Sequence, residues 1–295
     1  TFRLKSYSEE RLVSTVRNNL ECLFEMLRFN TAHGILFFRI TSDLVPFASH
    51  PVCRFDWPRF FAGPLAEIGA YIRSKAIRIS MHPDQFTLIN SLDPAIFERS
   101  RAELLYHALL LDSLGLDSTA KIQIHLGGIY GHREASLDRF VERYNMLEEP
   151  VKKRLVIEND DRNYTIRDCL IVSKRTGVPV LFDFLHHAVN SSGETVPEAL
   201  EGAASTWEAA DGLPMVDYSS QARGKKPGVH AASIDLADFA AFLDMTKPFD
   251  FDVMLEIKDK EKSALKALEV ASRDPRAAKG RATARCLNEG EQYAG

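Results

Sequence analysis

Seven short apolar runs in this chain end in, or lead straight into, a side chain that can hold a metal ion. Ile77-Arg78-Ile79-Ser80-Met81 runs into His82, Lys121-Ile122-Gln123-Ile124 into His125, and Arg154-Leu155-Val156-Ile157 into Glu158. Val180-Leu181-Phe182 reaches Asp183 with His186 close behind, Met215-Val216 reaches Asp217, and Val253-Met254-Leu255 reaches Glu256. The earliest run, Phe37-Phe38-Arg39-Ile40, leads to His50. Imidazole and carboxylate together suit zinc, manganese or iron, whereas calcium asks for oxygen alone. One such terminus carries little weight. Six or seven of them imply a site that holds more than one ion.

Asp183-Phe184-Leu185-His186-His187 is the densest cluster. A carboxylate at a strand end and a His three residues later can ligate two neighbouring ions. His187 reads either as a further ligand or as a hydrogen-bonded core or cap residue. Glu158 is followed by Asn159-Asp160-Asp161. Alone it could pair with a basic residue inside the sheet; in line with His82, His125 and Asp183 it reads as a bridge between two ions. His125 precedes Gly127 and Gly128, whose missing side chains let backbone approach a ligand closely. His230 follows Lys225-Lys226-Pro227-Gly228, a basic loop suited to phosphates or simply a solvated turn. His33, His107 and His132 fall on helix or loop patterns and receive no role.

The elements that must carry these side chains alternate. Leu12, Val16, Leu20, Leu23, Phe24 and Leu27 recur at helical spacing over 9–30, with Gly34 as the stop. Asp93-Pro94 opens a helix running toward Leu114 as N-cap and first-turn proline. Thr165 and Asp168 form a capping-box pattern, and Gly177 closes that helix. Further helices are predicted near 58–74, 134–147, 197–210, 235–244 and 259–273. Strand and helix alternate at intervals of roughly 30–45 residues with no linker, the pattern of βα units on one parallel sheet. An open doubly wound sheet has no use for a polar ligand at every strand end, and no G-x-G-x-x-G turn is present. Barrels of the (β/α)₈ type gather their chemistry at the C-terminal ends of the strands, so a single barrel domain over 1–295 is expected, with a tail after about 273.

Composition is that of an ordinary globular chain, 45% hydrophobic and 26% charged over 295 residues. No apolar run approaches the roughly 20 residues of a membrane helix, and the N-terminus has no signal-peptide pattern. Cys22, Cys53, Cys169 and Cys286 form no close pairs; Cys22 and Cys169 sit in apolar helical patterns and read as reduced core thiols, so a cytoplasmic protein is expected. The net charge of −4 argues mildly against a nucleic-acid partner. Much of that acid lies among the proposed ligands, however, and three divalent cations would turn the balance positive in the cleft.

Taken together, Phe47-Ala48-Ser49-His50-Pro51, Ser80-Met81-His82-Pro83-x-Gln85-Phe86, His125-Leu126-Gly127-Gly128-x-Tyr130-Gly131, Glu158-Asn159-Asp160, Asp183-x-x-His186-His187, Lys226-Pro227-Gly228-Val229-His230 and Asp252-Val253-Met254-Leu255-Glu256-x-Lys258 resemble the ultraviolet damage endonuclease family. They run in the family's order over nearly the whole chain. The resemblance implies a metal-dependent TIM-barrel nuclease, related in architecture to endonuclease IV. Its activity would be incision of damaged double-stranded DNA on the 5′ side of cyclobutane dimers, 6-4 photoproducts and abasic sites. It implies His82, His125, Glu158, Asp183, His186, His230 and Glu256 as ligands, with His50 joining them. Gln85 and Phe86 match the pair that probes the lesion, apt because unstacking costs least where pairing is already disturbed.

Four departures from the family pattern stand out. Asp217 replaces a ligand His of many members, and its harder oxygen favours Mn²⁺ over Zn²⁺ or Co²⁺. Met215 replaces a Lys that some members place beside the metals. Phe86 lacks the hydroxyl of the more usual Tyr. Members usually open with a strand containing Gly-Tyr, whereas this chain begins Thr1-Phe2-Arg3 and shows seven strands, so the expected (β/α)₈ barrel lacks its first strand here.

The expected chemistry is phosphodiester hydrolysis with two or three divalent transition ions, leaving a 3′-hydroxyl and a 5′-phosphate. Glu158, Glu256 and His125 are central, and Arg223, Lys225, Lys226 and Lys258 are candidates for phosphate contacts. A monomer is expected. The rival readings are a sugar isomerase or epimerase on the same barrel, which needs fewer ions and no Gln85-Phe86 pair, and a lesion-binding protein without catalysis.

Overall fold

The computed structural model describes residues 1–277. Seven strands alternate with helices: α1 (Glu9–Ala32), β1 (Phe37–Ile40), α2 (Trp57–Phe60), α3 (Ala62–Ser74), β2 (Arg78–Met81), α4 (Pro94–Ser113), β3 (Lys121–His125), α5 (Arg133–Asn145), α6 (Glu149–Lys152), β4 (Leu155–Glu158), α7 (Ile166–Thr176), β5 (Val180–Asp183), α8 (Phe184–Val189), α9 (Val196–Ala204), β6 (Met215–Tyr218), α10 (Leu236–Met245), β7 (Asp252–Leu255) and α11 (Glu261–Ala271).

Helix starts follow their caps. Ser8 accepts the Arg11 N–H ahead of α1, Asp93 accepts the Ala95 N–H ahead of α4, and Thr165 with Asp168 closes a capping box on α7. Gly177 ends α7 at φ +77°, a conformation that glycine adopts without steric cost. Leu12, Val16, Leu20, Leu23 and Leu27 form the buried stripe of α1. Cys22, one position round, is exposed, which corrects its reading as a core thiol; Cys169 is buried as expected. The helix predicted over 58–74 breaks at Phe61 into α2 and α3. The one predicted over 197–210 stops at Ala204, because the Trp207 indole donates to the Val180 carbonyl at 2.8 Å and draws the chain toward the sheet. Beyond α11, Arg276 donates to the carbonyls of Leu243 (2.6 Å) and Phe249 (2.7 Å), anchoring the first residues of the expected tail. The rest of that tail, with Cys286, lies outside the described residues.

All strands are parallel, in the order β1-β2-β3-β4-β5-β6-β7. β1 and β7 approach each other without a ladder among the described residues, and they are only partly buried. β4, β5 and β6 are wholly buried. A cavity of about 1730 Å³ runs beside that opening, lined by Phe37, Phe38, Val253, Met254, Leu23 and Phe29. This is a TIM barrel with the place of one strand open, as the seven strands predict.

Side chains inside the barrel change character along its axis with the two-residue period of a strand. Val156, Leu181 and Met215 form a buried apolar plug, with Phe37 and Trp207 packed on it. At the N-terminal ends, Arg78 pairs with Asp252 (3.2 Å) and Lys121 with Asp211 (2.5 Å). Two residues toward the C-terminal ends from the plug lie Arg39, Glu158, Asp183 and Asp217. The polar layer thus rests on a dry floor.

Candidate metal centre

Register sets the first contacts. His125 on β3 stands opposite Glu158 on β4, and Asp183 on β5 opposite Asp217 on β6. Glu256 follows β7 directly, its N–H donating to the Tyr218 carbonyl at 2.9 Å. Three groups of ligand-type atoms result: His82, His125 and Glu158; Glu158, Asp183 and His186; Asp183, Asp217 and Glu256. Glu158 and Asp183 each belong to two groups, so the three form one continuous chain.

The histidines are oriented from behind. His82 Nδ1 lies 2.8 Å from the Pro83 carbonyl, His186 Nδ1 3.0 Å from that of Asn159, and His230 Nδ1 2.9 Å from that of Glu256. A carbonyl can only accept, so each Nδ1 carries the proton and each Nε2 is left for a ligand, the arrangement typical of metal-bound imidazole. Asp183 caps α8 with Oδ1, which accepts the His186 N–H at 2.7 Å. Asn159 clamps the same strand end through the Asp183 N–H (3.0 Å) and carbonyl (2.9 Å).

Distances and orphaned atoms fit bound cations. His82 Nε2 and His125 Nε2 lie 2.9 and 3.2 Å from Glu158 Oε1. Two atoms that share one transition ion at about 2.0–2.2 Å each sit about 3.0–3.5 Å apart. Asp183 Oδ2 and Asp217 Oδ1 are buried with no hydrogen-bond partner. Burying an acceptor without a donor is costly, and a cation relieves it. Burial, reinforced by Glu256, Asp217 and Glu158, holds Asp183 well above the usual carboxylate range. Burial also raises Asp217, Arg39 opposing it and Glu256 adding to it. Burial pushes Glu158 up too, but His125, His82 and His186 outweigh it and hold the group down. Glu256 is likewise held at about 2, Arg39 outweighing burial.

Other residues singled out above take varied places. His230 lies beside the groups, its ring centroid 6.1 Å from that of His186. His50 is exposed, accepts the Val52 N–H and belongs to none of the three groups. His187 takes the core alternative, with Nε2 3.2 Å from the Glu194 carbonyl and its ring beside Phe182. Asp160 spends its carboxylate on the N–H groups of Arg162, Asn163 and Tyr164, closing a turn. Met215 sits in the apolar plug. Gly127 is needed for its own backbone, at φ +94° and with Asn90 Oδ1 where a Cβ would lie, rather than for closeness to a ligand.

Gln85 and Phe86 lie on the loop after His82, and Phe86 is 73% exposed. The same loop is tied down at its far end, where Asn90 donates to the Gly128 carbonyl (2.8 Å) and accepts Arg139 Nε on its own (2.6 Å). Lys225 and Lys226 sit at the turn of a loop bridged at Gln221 and His230, so the loop links His230 at its base to an exposed basic tip. Arg223 is spent in part on Asp235 at 2.9 Å, and Lys258 is exposed.

Two interior residues escaped the sequence reading: Arg39, which reaches Asp217 and Glu256, and Gln123, which reaches Glu158 and Asp217. A polar residue inside an otherwise apolar strand was the available signal.

The family model described as "UV-endonuclease UvdE" matches residues 2–276. A UV DNA damage endonuclease of Clostridium perfringens is 37% identical over 267 residues, covering 90% of this chain and 65% of that protein. One from Bacillus cereus is 35% identical over 270 residues, covering 91% and 85%. The chain thus spans slightly less than two thirds of the length of the Clostridium relative. The crystal structure of SacUVDE superposes with a TM-score of 0.88 at 46% identity, over 92% of each chain. Endonuclease IV from Thermus thermophilus shares the fold alone, with a TM-score of 0.55 at 18% identity over 84% of this chain and 91% of that one. The chain belongs to the ultraviolet damage endonuclease family.

Proposed function

We propose that this protein is a metal-dependent DNA repair endonuclease. It would hydrolyse the phosphodiester bond 5′ to cyclobutane dimers, 6-4 photoproducts and abasic sites, leaving a 3′-hydroxyl and a 5′-phosphate. The observation that carries the reading is the chain of three ligand groups linked through Glu158 and Asp183 at the barrel mouth. Such a row exceeds what one ion can use. His82, His125 and Glu158 would hold one ion, Glu158, Asp183 and His186 a second, and Asp183, Asp217 and Glu256 a third, with His230 adjoining and His50 joining the site. Mixed imidazole and carboxylate ligation, with Asp217 as the harder donor, points to Mn²⁺ ahead of Zn²⁺ or Co²⁺. Ions held there would supply Lewis-acid activation of water near neutral pH and charge stabilisation at the phosphodiester.

The chain's own residues do the rest. His82 and His186, fixed through Nδ1, present Nε2 without reorganisation. Exposed Phe86, beside Gln85, supplies a flat apolar face for a disturbed base stack. Lys225, Lys226, Arg223 and Lys258 would contact phosphates, placing the duplex without reading sequence. The partner is damaged duplex DNA, the working unit a monomer, and the compartment the cytoplasm. No helix of the described residues is long and apolar enough to cross a membrane.

The test is a nicking assay on irradiated and undamaged duplex, with metal content measured in parallel. Nicking of irradiated duplex by protein carrying two or three ions per chain is expected. Protein with one ion or none at full activity, or equal nicking of both duplexes, overturns the reading.

A further inference from the structure

Arg39 projects from β1 into the barrel, and its fork meets three side chains, two on other strands and one directly after a third. Nη2 donates to Asp217 Oδ2 and to Gln123 Oε1, both at 2.8 Å, and Nη1 donates to Glu256 Oε1. Gln123 passes the pattern on: with Oε1 held by Arg39, its Nε2 donates to Asp217 Oδ2 (2.6 Å) and Glu158 Oε2 (2.5 Å). Both protons and the oxygen of that amide are thereby used. The three carboxylates are left in the same condition. One oxygen of each is engaged by Arg39 or Gln123. The other is free of them: Glu158 Oε1 faces His82 and His125, and Asp217 Oδ1 is buried without a partner.

Resting on the metal-site reading above, we propose that Arg39, acting with Gln123, is a positioning residue that makes Glu158, Asp217 and Glu256 one-oxygen ligands. A carboxylate left alone can swing to offer both oxygens to one ion, which draws that ion to itself and alters the spacing to its neighbour. Hydrogen bonds that occupy one oxygen prevent this and fix the direction of the other, as partners behind metal ligands generally do. The task needs a planar fork with several fixed donors. An ammonium brings the charge but cannot span Asp217, Glu256 and Gln123 together.

The experiment reads Mn²⁺ binding rather than nicking. X-ray absorption on Mn²⁺-loaded wild-type protein reports whether carboxylates bind through one oxygen or two; one-oxygen ligation is expected, and two-oxygen ligation overturns the proposal. Equilibrium dialysis of Arg39→Met and Arg39→Lys should each show about a ten- to a hundredfold loss in affinity for the weakest-held ion, the usual effect of losing such a partner. Wild-type affinity in Arg39→Lys would show that charge alone matters, and tighter binding in Arg39→Met would show that Arg39 competes with the ions; either sinks the idea. Should the variants fail to fold, the wild-type absorption measurement still decides. Wild-type protein that binds no ion removes the metal-site reading itself, whereas two-oxygen ligation removes only this inference.

Discussion

Glu158 sits where two of the three ligand groups meet. It faces two histidines with one oxygen and Gln123 with the other. Glu158→Gln keeps the shape and removes the charge, so incision should fall below detection with the fold largely intact. His125→Ala should do the same, since both side chains belong to the polar end of the barrel rather than to its apolar packing. Nicking within a few-fold of the parent would show the site to be misplaced. Phe86 makes a separate case, because it offers only shape and stacking. Base–aromatic stacking is worth on the order of 1–3 kcal/mol. Phe86→Ala should therefore weaken binding to damaged duplex by roughly ten- to a hundredfold, at about 1.4 kcal/mol per decade. Binding to undamaged duplex, which comes from phosphate contacts, should change little, and Phe86→Tyr should keep the preference. An equal loss on both duplexes would make Phe86 a support for its loop.

At the scale of elements, strand ends were the most legible part of the sequence. A His or carboxylate closing an apolar run marks the end of a buried strand, so His125, Glu158 and Asp183 close their strands and His82 follows its own directly, while β6 runs one residue past Asp217. Helix starts with Asp or Thr caps were equally legible. The misses have tertiary causes. α8 begins on the residue after Asp183, because that carboxylate both ends β5 and caps the helix, leaving no turn signal between them. α9 stops early through the Trp207 contact with Val180. Arg39 and Gln123 were visible as polar residues inside strands, but the partners that give them meaning lie on other strands, 35 to 217 residues away. The loop carrying His230 supports a prediction of its own. Its tip presents Lys225 and Lys226 to solvent, where each could neutralise one phosphate. Replacing both by Ala should reduce the slope of log affinity against log salt by about 1 per lysine, lowering damaged and undamaged affinities alike. An unchanged slope would place the phosphate contacts elsewhere.

Across the whole molecule, the barrel encloses more negative charge than it balances. Glu158, Asp183, Asp217 and Glu256 converge around one permanent cation, Arg39, over a dry apolar floor. The metal-free protein must therefore hold protons there. Asp183 and Asp217 both stand above their ordinary value of 3.8, burial being the main cause. A carboxylate raised by folding binds protons more tightly in the folded chain, so it costs stability as pH climbs above its unfolded value. His82 acts in the same direction: Glu158 outweighs the effect of burial and raises it above 6.5, so its contribution is present below that value and lost as pH rises through the raised one. Glu158 and Glu256 are depressed, and their contribution is lost only as pH falls below about 4.5 toward their folded values. Metal-free protein should thus gain stability, and with it melting temperature, as pH falls from about 8 to about 6.5, by up to about 1.4 kcal/mol per pH unit for each proton taken up; below about 6.5 buried His107 and His187, both held under that value by burial, work against the gain. Bound ions displace those protons, so the loaded protein should show a flatter profile, and Mn²⁺ affinity should rise with pH as loading releases protons into the buffer. Calorimetric titrations in two buffers of different ionisation enthalpy count that release directly. A metal-free melting temperature that rises from about pH 6.5 to about pH 8, or loading with no proton release, would mean that these carboxylates are already ionised and matched without metal.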